Sequence, residues 1–143
     1  MKKIAIINGP NPNLLGKREP DIYGNESFED FLLKLRAEYK ELQLDYFQSN
    51  VEGELINYLQ EIDQKVDGIL LNAGGYTHSS VAIPDAVAAI ETPVIEIHIS
   101  QPRAREEERH VSLLEKYCFG SISGLGLDSY RLGIAYFNFK LNQ

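Results

Sequence analysis

A chain of 143 residues, 43% hydrophobic and 24% charged, has the size and balance of one globular domain and is too short for a closed (β/α)₈ barrel of about 250 residues. Its formal net charge of −7 argues against nucleic acid as a partner, because phosphate binding draws on a basic face. No apolar run approaches the roughly 20 residues that span a bilayer, and Cys118, the sole cysteine, excludes an internal disulfide and fits a reducing cytoplasm.

Met1-Lys2-Lys3 ahead of an apolar stretch has the outline of a leader, but Asn8-Gly9-Pro10 interrupts it too soon. Lys3–Asn8 reads instead as a buried first strand, followed by an irregular, turn-rich stretch to about Glu26. Ser27 can cap a helix over Phe28–Leu42, where Phe28, Phe31, Leu32, Leu35 and Tyr39 recur at helical spacing. Leu44–Gln48 is a second strand, and Glu54–Gln64 a helix with Leu55, Ile56, Leu59 and Ile62 on one face. Asp67–Asn72 is a continuous apolar strand closed by Ala73-Gly74-Gly75. A short helix over Val81–Glu91 and a strand over Pro93–Ile99 follow. Residues 103–117 are charged and partly helical, Phe119–Ser123 is a fifth strand, and Leu127–Leu141 a last helix. Tyr136, Phe137 and Phe139 on that helix offer apolar surface suited to an interface.

Short strands separated by helices indicate βαβ units and a parallel sheet. The inner runs 67–72 and 93–99 are apolar without alternation, as strands covered on both faces are. Five such units predict an α/β, flavodoxin-like three-layer sandwich with a five-stranded parallel sheet, rather than the six-stranded dinucleotide fold. No repeat, low-complexity tract or linker divides residues 1–143.

In an open parallel sheet, ligands bind beyond the carboxyl ends of the strands. The loop after the first strand begins Asn8-Gly9-Pro10-Asn11, that after the third is Asn72 to Ser80 and includes His78, and that after the fourth runs from His98-Ile99-Ser100 to Arg105 and Arg109. Amides, two histidines, glycines able to present backbone N–H groups, and most of the arginines thus gather at one edge. Each has a bland reading: Asn-Gly-Pro-Asn is good turn material, Gly74-Gly75 can simply join strand to helix, and His98 can be a satisfied core histidine. Tyr23 is one of eight tyrosines. The stretch 105–109 can be a solvated helix face, although Arg105 and Arg109, four apart, could grip one carboxylate together. Convergence on one edge is what favours chemistry.

Taken together, Asn8-Gly9-Pro10-Asn11 through Gly16, Arg18-Glu19-Pro20 with Tyr23-Gly24, Leu71-Asn72-Ala73-Gly74-Gly75 with Thr77-His78-Ser79-Ser80, Glu96-Ile97-His98-Ile99-Ser100 and Ala104-Arg105-Glu106-Glu107 with Arg109 resemble the type II 3-dehydroquinate dehydratases. The resemblance runs to Gly124-Leu125-Gly126. It implies a hydro-lyase converting 3-dehydroquinate to 3-dehydroshikimate in the shikimate pathway, without metal or cofactor, assembled as a homododecamer, a tetramer of trimers. By resemblance, Tyr23 is the base, with Arg18 beside it on its loop. Asn11 holds a water against the developing enolate, and His98 is the acid, oriented by Glu96. Asn72, His78, Ile99, Ser100 and Arg109 hold the substrate, Arg105 supports the loop and the tyrosine, and Asp85 comes from a neighbouring subunit. Pro12, Gln101, Arg103 and Glu108 depart from the family's usual residues without removing any of these groups.

Other readings fit less well. A flavin-phosphate site calls for a hydroxyl-rich first loop, and a phospho-receiver domain for aspartates where this chain has Asn8 and Asn72. A serine hydrolase using Ser100 or Ser123 lacks a Gly-x-Ser-x-Gly elbow.

Overall fold

The computed structural model describes residues 1–12 and 26–143. The strands are β1 (Lys2–Asn8), β2 (Leu42–Gln48), β3 (Gly68–Asn72), β4 (Val94–His98) and β5 (Gly120–Ser123). They pair in parallel in the order β2-β1-β3-β4-β5, the flavodoxin-like order. The helices are α1 (Phe28–Glu38), α2 (Glu52–Ile62), α3 (Tyr76–Ser79), α4 (Ala82–Ala89) and α5 (Asp128–Leu141).

The alternation of strand side chains builds two cores. Ile4, Ile6, Leu70, Ile95 and Ile97 face α1 and α5, packing on Phe28, Phe31, Leu35, Tyr130, Ile134 and Phe137. Ala5, Ile7, Ile69, Leu71 and Val94 face α2 and α4, packing on Leu55, Leu59, Ile83 and Val87. The sheet is thus covered on both sides, which is why its inner strands carry unbroken apolar runs. Cys118 packs half-buried at the edge of the second core; burial, with Glu96 and Glu115 nearby, pushes its thiol up to about 12. That thiol is protonated and unreactive at neutral pH. Among the described residues, no helix is long and apolar enough to cross a membrane.

Several sequence boundaries move. The helix expected over 28–42 stops at Glu38, where the Tyr39 N–H bonds to Leu35 O (2.9 Å). Leu42 and Leu44 both face the first core, so the period-two strand expected from Leu44 extends back and claims Leu42 from the helical pattern. Helix α2 starts two residues earlier than expected, and it ends two residues earlier because Asp63 is extended (ψ 130°) and Gln64 takes a left-handed φ of 63° that a helix cannot continue through.

The partly helical stretch expected over 103–117 contains no α-helix. Three 3₁₀ turns stand there, Pro102–Ala104, Glu107–Arg109 and Glu115–Tyr117. Leu114 is the only buried residue between 103 and 117, so there is no apolar stripe for a helix to bury. On α5, Phe137 is 3% exposed, its ring pressed on Gly68, and belongs to the core; Tyr136 and Phe139 are the exposed aromatics.

One clamp joins α2 to the approach of β4. Asp63 Oδ1 accepts from the backbone N–H groups of Glu91 and Thr92 and from the Thr92 hydroxyl, at 2.9–3.0 Å. Those hydrogen bonds, the Thr92 N–H foremost, hold the carboxyl below its usual range. A carboxylate with a depressed folded-state pKa adds stability above its unfolded value and loses it as pH falls through the folded one. The wild-type melting temperature is therefore expected to fall as pH drops below about 4. Asp63→Ala should melt lower at neutral pH and show a shallower acid decline; parallel acid limbs in thermal melts would refute the clamp.

Candidate active site

The site begins where β1 and β3 end side by side. Asn8 and Asn72 are register partners, and the Gly9 N–H donates to Asn72 O at 2.7 Å. A Cβ on Gly9 would lie 2.5 Å from the Ala73 carbonyl oxygen, so the two exits touch only because Gly9 has no side chain. Gly74, at φ 61°, then turns the chain against Pro10 and into α3. The two loops form one wall.

The next loop props that wall. Asn11 stands in the left-handed region (φ 77°), which asparagine tolerates better than most residues. Its N–H donates to Asn50 Oδ1 (3.2 Å), which also accepts from Gln48 Nε2 (3.1 Å). The Tyr76 hydroxyl donates to Asn50 O. The loop after β2 therefore holds Asn11 in place from outside.

The opposite wall comes from the end of β4 and the turns beyond it. His98 closes the strand, Ile99 is buried, and Ser100 and Pro102 lead to Arg105 and Arg109. Between the walls lies a cleft of about 140 Å³ whose lining brings together Asn11, Asn72, His78, His98, Ile99, Ser100, Arg105 and Arg109. Arg105 and Arg109 reach it from separate turns, not from one helix face: Arg105 is an extended residue between two 3₁₀ turns. Glu106 ties them, with Oε2 at 2.7 Å from Arg109 Nε and 4.0 Å from Arg105 Nε. Its own backbone N–H and the Arg109 guanidinium hold the Glu106 carboxyl below the usual carboxylate range.

The two cleft histidines are fixed from behind. His98 Nε2 lies 2.5 Å from Glu96 Oε2, and Glu96 is 2% exposed. That N–H donates to the carboxylate, which sets the tautomer and leaves Nδ1 for a ligand. The Ser112 hydroxyl donates to the same Oε2 (2.8 Å), while Glu96 Oε1 is buried with no hydrogen-bond partner among the described residues. His78 Nδ1 faces Val111 O at 2.7 Å and so carries its hydrogen there. The two rings lie nearly parallel, 6.4 Å apart.

Asp85 stands exposed on α4 and lines no part of this chain's cleft. Tyr23 and Arg18 lie outside the described residues. Among the described residues, no group of three histidine, cysteine, aspartate or glutamate side chains is placed to hold a metal ion.

A family model, dehydroquinase class II, matches residues 2–138. The sequence is 51% identical over 139 residues to a 3-dehydroquinate dehydratase of Bacillus licheniformis, covering 96% of each chain. It is 50% identical over 139 residues to a 3-dehydroquinate dehydratase of Fusobacterium nucleatum, covering 94% of this chain and 95% of the relative. The crystal structure of a type II dehydroquinase from Butyrivibrio crossotus matches with a TM-score of 0.90 at 46% identity, covering 96% of this chain and 97% of that one. The chain belongs to the class II dehydroquinase family.

The motifs that carry the dehydroquinase resemblance name the groups at the surface of the cleft and Glu96 behind His98, but not every group that supports them. Ser112 behind Glu96 carries no local signal, since a serine in a charged stretch is unremarkable. Glu106 stands in the Ala104-Arg105-Glu106-Glu107 motif, but nothing in the sequence gives it the role of tying the two arginines. Asn8, a polar residue ending an apolar strand, was the one available hint of a polar floor.

Gly9→Ala tests the contact on which both loops depend. The new methyl group meets backbone rather than a movable side chain, so the variant should lose about 1–3 kcal/mol in urea denaturation. Unchanged stability would mean that the two exits separate at no cost.

Proposed function

We propose that this cleft removes water from 3-dehydroquinate to give 3-dehydroshikimate, making the chain a hydro-lyase of the shikimate pathway. The observation that carries this reading is the His98–Glu96 pair, opening on a cleft walled by amides, backbone groups and two arginines. These suit a small ring bearing hydroxyls, a ketone and a carboxylate.

The reaction needs a base on the carbon next to the ketone and an acid at the departing hydroxyl, both within hydrogen-bond reach of one ring. Tyr23 is the proposed base. A tyrosine's reference pKa of about 10 makes it a poor base near pH 7, and a guanidinium beside it, here Arg18, favours the phenolate. Removal of the proton puts charge on the ketone oxygen, and a water held by Asn11 stabilises that enolate without a metal. As the enolate collapses, the bond from carbon to hydroxyl breaks and His98, protonated on both nitrogens with Nε2–H kept on Glu96, gives its Nδ1 proton, so the group leaves as water. Glu96 keeps the imidazole aligned and its positive form stabilised.

Arg109 pairs with the substrate carboxylate. Asn72, His78 and the backbone at Ile99 and Ser100 bind hydroxyls, and Arg105 supports the loop and Tyr23. No cofactor or metal takes part. The whole of residues 1–143 forms one catalytic domain, working in the cytoplasm as a homododecamer, a tetramer of trimers, in which Asp85 of each subunit serves a neighbour's site. The exposure of Asp85 on α4, away from its own cleft, is consistent with that assignment.

Purified protein treated with chelator should turn over 3-dehydroquinate, followed by the ultraviolet absorbance of the conjugated enone. Tyr23→Phe and His98→Ala should each lower kcat by about 10²–10⁴-fold with little change in melting temperature. Turnover retained by either variant removes that residue from its role. Arg109→Ala should raise KM by about 10- to 100-fold, the worth of a charged hydrogen-bonded pair, with a smaller effect on kcat. An unchanged KM places the carboxylate elsewhere.

A further inference from the structure

Beneath the cleft runs a chain of hydrogen bonds that enters from the last helix. Asn72 Nδ2 donates to the Tyr130 hydroxyl oxygen (2.8 Å), and that hydroxyl donates to Asn8 Oδ1 (2.6 Å). Asn8 Nδ2 donates in turn to the Tyr46 hydroxyl oxygen (3.2 Å), while Asn72 Oδ1 accepts from the Gly74 N–H (3.0 Å). Tyr130 and Asn8 are wholly buried and neither lines the cleft; Asn72 does.

The direction of this chain is not free. Asparagine amides can flip and hydroxyl protons can rotate, but a backbone N–H can only donate. The Gly74 N–H therefore requires the oxygen of Asn72 on its side. That turns the Asn72 NH₂ toward Tyr130, which must then accept, and which spends its single proton on Asn8. One of the two Asn72 N–H groups is thereby anchored, and the other remains for the cleft. Burial pushes the Tyr130 hydroxyl far above its usual value, so it keeps its proton throughout the neutral range.

We propose that Tyr130 is a positioning residue for substrate binding: its buried hydroxyl holds the Asn72 amide so that the remaining N–H points at a substrate oxygen. This rests on Asn72 being a substrate contact, as read above. Tyr130 touches no substrate. It sets the direction in which Asn72 can donate, and links that direction to the docking of α5.

The test compares kinetics of the full-length protein on 3-dehydroquinate. Tyr130→Phe removes one oxygen and leaves the ring packed, so KM should rise about tenfold while kcat stays within about twofold, because a binding contact shared by ground and transition states is what loosens. In an Asn72→Ala background, where there is no amide left to position, the same change should add less than about twofold to KM. Asn8→Ala keeps the Tyr130 ring but takes away its acceptor, and should raise KM about threefold. This variant serves if Tyr130→Phe does not fold.

The outcomes separate the two layers of the claim. If Asn72→Ala leaves KM unchanged, the binding role of Asn72 fails and the positioning role goes with it. If Asn72→Ala raises KM but folded Tyr130→Phe or Asn8→Ala only lowers the melting temperature, Tyr130 is structural and the proposal is overturned. Independent, multiplicative effects of Tyr130→Phe and Asn72→Ala on KM would overturn it as well.

Discussion

Two parallel strands leave a sheet at the same level and must go different ways, yet here their first residues beyond the sheet lie against each other. The contact is backbone on backbone, the Gly9 N–H on Asn72 O, with the Cβ position of Gly9 filled by the Ala73 carbonyl. Because neither chain can give, the loop after β1 and the loop after β3 share one wall. The placement of Asn11, Asn72 and the turn into α3 follows from it. In most doubly wound sheets this region is a crevice between diverging loops. Here the crevice is closed on the β1–β3 side and opens instead toward β4, where His98 stands.

The polar groups of the site are held with unequal redundancy. Asn11 is held through its N–H by the Asn50 side chain, and Asn72 by the Gly9 and Gly74 N–H groups and the Tyr130 hydroxyl, whereas among the described residues the His98 ring depends on one buried carboxylate. Among the described residues, Glu96 in turn receives hydrogen bonds at a single oxygen, from His98 and Ser112. A buried carboxylate with so few donors leans on each of them, since an unsatisfied buried polar atom costs about 1–3 kcal/mol. The arginine wall is held differently. Glu106 lies at the surface, so solvent shares its interaction with Arg109 and that side of the cleft is tethered loosely.

Much of this was legible in the chain. The apolar runs ending in Asn8, Asn72 and His98 mark strands whose exits carry amides and a histidine, and the alternation with helical segments orders them into a parallel sheet. What escaped was of two kinds. Local rules overreached where tertiary pairing decides: Leu42 fits a helical pattern after Tyr39, but its pairing with Lys2 draws it into the sheet. The spacing of Arg105 and Arg109 suggested a helix that has no apolar face to bury. Other features leave no local trace. Tyr130 sits in an apolar pattern where a tyrosine serves as core filler, and its partners are 58 and 122 residues away.

That separation bears on how the molecule is made. A contact closing a loop of 122 residues pays a large chain-entropy cost and cannot form until both ends exist. During synthesis β1 emerges well before Tyr130. The strands can pair and the loops can meet, but the cleft floor is completed only when the final helix leaves the ribosome and docks. A chain released a few residues before that helix would carry every motif of the site and still lack its foundation.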